Sequence, residues 1–175
     1  MTCPLASLSQ PLPTSSTLGV LSGIGTTETV IQLTNGNPAV LSMPSSPDIS
    51  GVFFRLAFGG IVHSGNPGSI SCTLNLYQGS SATIGSDTFL YGLTLTPSSS
   101  DMSMASYARC FWNSTQQKLT GAYDSVINSS WSTGQSFGNP TVTSQSNLQF
   151  VLSVQFGTSN AANSFTLTEF KLDLV

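Results

Sequence analysis

Charge is what this chain has least of. Four Lys and Arg residues and seven Asp and Glu residues make up 6% of its 175 positions, where an ordinary domain carries about 25%. The cations Arg55, Arg109, Lys118 and Lys171 are scattered, and the net charge is −3. That excludes the basic patch a nucleic-acid partner requires. Long apolar runs are also missing. None approaches the ~20 residues of a membrane-spanning helix, so no membrane partner is expected. The opening MTCPLAS has neither a cationic start nor a long apolar stretch, so no secretion signal is read and production in a cytoplasm is expected. Three cysteines, Cys3, Cys72 and Cys110, are an odd number with no CxxC pair. They form neither a disulfide framework nor a zinc site, and Cys72 and Cys110 share the parity of apolar neighbours, as buried small hydrophobes do.

Catalytic constellations are equally sparse. His63 is the sole histidine, so a Ser or Cys nucleophile has one imidazole to serve as its base. A lone histidine on a glycine-rich loop, here residues 59–67, is more often solvated or satisfied than catalytic. There is no G-x-S-x-G elbow, no phosphate loop and no D-x-D-x-D calcium loop. No enzyme activity and no cofactor are expected. Glycoside hydrolysis needs two carboxylates about the bond, but most of the acids lie in turn-like segments that favour Asp for backbone reasons. Glu169 is the exception, set in an apolar stretch, and a salt bridge to Arg55 or Arg109 is the expected role for it. Helical spacing of apolar residues is absent as well.

What the chain has is Ser, Thr, Asn, Gln and Gly between short alternating apolar runs. Neutral hydroxyl and amide surface is buried at far less desolvation cost than charge, so much of this surface suits contact with partners. Strands are read at 18–24, 29–33, 39–43 (an edge, between Pro38 and Pro44), 51–58, 69–77, 88–96 and 103–112. In 88–96, Phe89, Tyr91, Leu93 and Leu95 share a face. A hairpin is read at 118–123 and 125–131, followed by a long polar loop at 133–147.

The clearest register belongs to 148–156, LQFVLSVQF, and 165–175, FTLTEFKLDLV. In the second, Phe165 and Leu167 share one parity and Phe170, Leu172 and Leu174 the other. A parity change in mid-strand predicts a β-bulge near Thr168–Glu169, since one extra residue exchanges the faces. It would let one strand serve two packing surfaces.

Together these elements predict an all-β fold: a two-sheet antiparallel β-sandwich, jelly-roll-like, over residues 17–175, with an extended N-terminal arm at 1–16. Pro4, Pro11 and Pro13 keep the arm extended, and Leu5, Leu8 and Leu12 are its candidate contacts with a neighbouring subunit. Tyr77, Tyr107, Phe111 and Trp131 could form a carbohydrate platform or belong to core and interface. Tyr107 and Trp131 are retained as candidate interaction residues.

FWNSTQQKLTG at 111–121, LQFVLSVQFGTSNAAN at 148–163 and FTLTEFKLDL at 165–174 resemble the β-sandwich virion proteins of tailed bacteriophages, including capsid decoration (cement) proteins. The resemblance implies a non-enzymatic structural protein of the virion. It would form a homo-oligomer, a trimer by preference, and bind the outside of the major capsid protein lattice to stabilise the head. The alternative expectation is a carbohydrate- or receptor-binding module of a tail fibre or spike, with a glycan as partner.

Overall fold

The computed structural model describes residues 18–43 and 48–175. The arm expected at 1–16, with Leu5, Leu8 and Leu12, lies outside them.

Eleven strands and one 3-10 turn, Gln145–Asn147, follow one another, and no α-helix occurs among the described residues. The strands are β1 (Gly19–Ser22), β2 (Thr29–Val30), β3 (Val40–Ser42), β4 (Phe53–His63), β5 (Cys72–Gly79), β6 (Thr88–Leu95), β7 (Asp101–Asn113), β8 (Lys118–Ile127), β9 (Ser130–Ser136), β10 (Gln149–Phe156) and β11 (Ser164–Leu174). They form two antiparallel sheets. One is six-stranded, in the order β1-β11-β4-β7-β8-β9; the other runs β2-β10-β5-β6, with β3 also paired to β10. The chain crosses between the sheets after β1, β3, β4, β6, β9 and β10, the repeated exchange of a jelly-roll-like sandwich.

Period-2 alternation builds the core between the layers. From the six-stranded sheet come Phe54, Leu56, Phe58, Ala108, Cys110 and Trp112, and from the other Cys72, Leu74, Leu76, Phe150, Leu152, Val154 and Phe156, all buried. Cys72 and Cys110 are therefore the small core hydrophobes their parity predicted. Burial pushes the Cys72 thiol up to about 12 and raises that of Cys110 as well. Thiols so hard to ionise are inert.

The bulge in β11 lies where the parity change placed it: Leu167 pairs with Gly60 and Glu169 with Gly59, leaving Thr168 as the extra residue. Its consequence differs from the expectation. Phe165, Leu167 and Phe170 are all buried, and Leu172 and Leu174 pack against the same core. The extra residue corrects the parity so that both halves of β11 face one core, rather than dividing the strand between two surfaces. A second register shift, at Leu76/Tyr77 against β6, makes Leu90 the extra residue. Leu90 is buried and Phe89 is turned out to 52% exposure, so Phe89 leaves the face that Tyr91, Leu93 and Leu95 share.

Three boundaries also differ. Gly59 to His63 belongs to β4 and not to a glycine-rich loop, because β11 and β7 press so closely on both glycines that a side chain would meet them. Residues 118–127 form one strand rather than two halves of a hairpin. The reversal comes at Asn128 and Ser129, both at positive φ (45° and 70°), the geometry of a two-residue hairpin turn. Finally, β9, Ser130–Ser136, runs from the end of the expected second hairpin strand into the start of the expected polar loop.

Candidate functional site

The ladders decide which side chains meet on the outward face of the six-stranded sheet. Arg55 of β4 lies directly across from Arg109 of β7, and Asp173 of β11 lies across from Arg55 on its other side. One step along, Lys171, Ala57, Tyr107 and Asp124 form the next row. All four cations share this face or its parity, as do Asp101, Asp124, Glu169 and Asp173 among the seven acids. In so uncharged a chain this is a strong segregation. Only Glu28, Asp48 and Asp87 lie elsewhere.

Between Arg55, Tyr107, Arg109, Asp124 and Trp131 lies an open groove of about 340 Å³. Its aromatic wall is built by β9. That strand has two residues, Thr133 and Gly134, where β8 has only Asp124, and Gly134 takes the left-handed conformation with φ of 72° that such a bulge requires. The Gly134 N–H donates to Asp124 Oδ1 at 2.9 Å. Trp131, set opposite Val126 by the preceding turn, reaches across β8 to stack on Tyr107, ring centroids 6.4 Å apart and planes at 21°. Trp131 is 65% exposed. Beyond the arginines, the Phe53 and Phe111 rings meet at 5.1 Å with their planes tilted by 46°, and Val20 and Ile61 extend the exposed apolar surface along the same face.

The ion pairs are not those expected. Arg55 Nη2 donates to Asp173 Oδ2 at 3.2 Å, and Lys171 Nζ to Glu169 Oε1 at 2.7 Å. Glu169 therefore serves a lysine and neither arginine. The bulge sets it opposite Gly59, four residues from Arg55 along β4, or about 13 Å. Its hydrogen bond holds the Lys171 ammonium above its ordinary value. The Arg109 guanidinium has no hydrogen bond or ion pair with any described residue. Ala122, its neighbour on the β8 side, has no side-chain acceptor.

Of the four aromatics read as a possible platform, Tyr107 and Trp131 are brought together and Phe111 lies one row beyond Arg109. Tyr77 is on the opposite sheet. Its hydroxyl donates to Glu28 Oε1 at 2.9 Å, where Asn75 Nδ2 donates at 2.7 Å and the Ser153 hydroxyl also binds. Burial first, then the bond to this carboxylate, push Tyr77 up to about 12. Glu28 so held pins the chain entering β2 onto the outer face of β5 and β10. His63 Nδ1 lies 2.7 Å from Asp101 Oδ1 at the far end of the outward face, and no described hydroxyl or thiol is hydrogen-bonded to it. No group of three His, Cys, Asp or Glu residues positioned to hold a metal occurs among the described residues.

Arg55, Arg109 and Asp124 escaped sequence reasoning as site residues. The register that aligns them across three strands is not legible in the sequence, and Asp124 falls between the two halves of the expected hairpin.

No family model and no curated protein sequence matches the chain. Among solved structures, lectin I-B4 of Griffonia simplicifolia in its metal-free form aligns over 97% of this chain and 99% of its own, at 11% identity and a TM-score of 0.33. So loose a likeness carries no argument about function.

Proposed function

We propose that this chain is a non-enzymatic binding module of a virion, of the carbohydrate- or receptor-binding kind found on a tail fibre or spike, acting through the outward face of its six-stranded sheet. The groove between the Tyr107–Trp131 stack and the two arginines is the observation that carries this reading. Aromatic side chains and Arg dominate binding energy because they offer large rigid area together with polar handles. A concavity of this size falls within the roughly 300–1,000 Å³ of small-ligand sites. Trp131→Ala is expected to abolish clear hits on a glycan array or weaken them at least about ten-fold, ~1.4 kcal/mol, with an unchanged melting curve because the side chain is mostly exposed. Array hits indifferent to Trp131 would move the site elsewhere, and turnover of any polysaccharide would overturn the non-enzymatic reading.

A second reading, head decoration by a homo-oligomer on the major capsid lattice, draws on a different observation. Away from the outward face the described surface holds only Glu28, Asp48 and Asp87 as charged residues. Such near-neutral surface suits many weak contacts multiplied by avidity. It predicts saturable co-sedimentation of the purified chain with emptied phage heads, at a fixed ratio to the capsid protein. Absence of binding at micromolar concentration would remove it.

A further inference from the structure

We propose that the ligand of this groove is a sugar carrying a carboxylate, and that Arg109 is the side chain that reads it. The inference rests on the binding-module reading and adds the chemical class of the ligand.

Arg55 and Arg109 are cross-strand partners, an arrangement that is unfavourable for like charges. Asp173 relieves Arg55 from the β11 side at 3.2 Å. Nothing among the described residues relieves Arg109. The groove is lined by two guanidinium groups and one carboxylate, Asp124; with Arg55 paired to Asp173 from outside the lining, Arg109 is the guanidinium left without a partner. A planar guanidinium with its donors free is shaped for bidentate hydrogen bonding to a carboxylate.

The rest of the lining suits a sugar ring. Tyr107 and Trp131 present stacked aromatic faces to the apolar C–H side of such a ring. Asp124 engages Gly134 through Oδ1, which leaves Oδ2 to accept from a sugar hydroxyl. At about 340 Å³ the groove lies at the low end of small-ligand sites, enough for a ring or two and short for an extended peptide.

The test is an array that pairs each acidic glycan with a neutral counterpart, 3′-sialyllactose beside lactose and tetragalacturonate beside its carboxyl-reduced form, with an acidic peptide set on the same slide. The full chain, Arg109→Gln, Arg109→Lys and Trp131→Ala are applied at two salt concentrations. The wild-type chain is expected to retain acidic members over neutral ones and to lose them as salt rises. Arg109→Gln should lower that retention by about ten-fold or more, and Arg109→Lys, which keeps the charge without the fork, should fall between. Equal retention of acidic and neutral glycans, insensitive to Arg109→Gln but lost with Trp131→Ala, overturns the carboxylate and leaves the binding module standing. Retention of acidic peptides alone overturns the sugar. No retention at all overturns both.

Discussion

Phe165→Ala is expected to remove about 3–5 kcal/mol of unfolding free energy, the usual cost of deleting a fully buried phenylalanine. Phe165 is completely buried, and its ring lies over Gly60 of the neighbouring strand β4. It is one of the inward residues that the β11 bulge keeps in phase with Phe170. Domains of this kind have about 5–15 kcal/mol in total, so the variant should unfold at a much lower urea midpoint with an unchanged slope. Phe89→Ala is the control, because Phe89 is 52% exposed and surface changes usually stay within about 0.5 kcal/mol. If the two midpoints move alike, Phe165 is not the core anchor its burial indicates.

The bulge that makes Phe165 and Phe170 neighbours on one face was legible in the chain, and its purpose was not. Alternation of Phe and Leu reports parity directly, so the break at Thr168 could be located from residues alone. Whether the two halves face one core or two depends on β4 and β1 pairing with them, which no local pattern encodes. The same division runs through the site. Tyr107 and Trp131 were picked out by residue type, 24 positions apart in sequence. What joins them is the turn at Asn128–Ser129, which lays β9 beside β8 and sets Trp131 opposite Val126. The segment SWSTGQS has one large apolar residue, Trp131, and every residue of it is exposed, so it gives no hydrophobic alternation by which a strand is recognised. Glu169 was correctly placed on β11 and wrongly partnered, because one unpaired residue decides whether it faces Gly59 or an arginine. Charge segregation onto one face is likewise a property of the sheet order. Arg55, Arg109 and Lys171 come from β4, β7 and β11, far apart in sequence and adjacent only after the sheets form.

Gly60→Val should be as damaging as losing the ring above it, by the opposite mechanism. A Cβ at position 60 would stand 2.3 Å from the Thr166 carbonyl oxygen and 2.5 Å from Cζ of Phe165. The first neighbour is backbone, held in the β4–β11 ladder, and the second is a ring with no free space to enter. Overpacking of a tight core costs about 1–3 kcal/mol, occasionally more, and the backbone contact puts valine at or above the top of that range. This close approach is also why Gly59 and Gly60 are strand residues despite reading as a loop: a side chain at either would push a neighbouring strand away. The two contacts are separable. In a double-mutant cycle, Phe165→Leu should recover part of the loss caused by Gly60→Ala by vacating the ring position. The coupling should fall in the range of about 0.5–3 kcal/mol found for touching residues. The Thr166 carbonyl remains in place in every variant, so recovery should stop short of complete. Additive urea midpoints in that cycle would mean that the ring and the glycine do not share the space the structure assigns them.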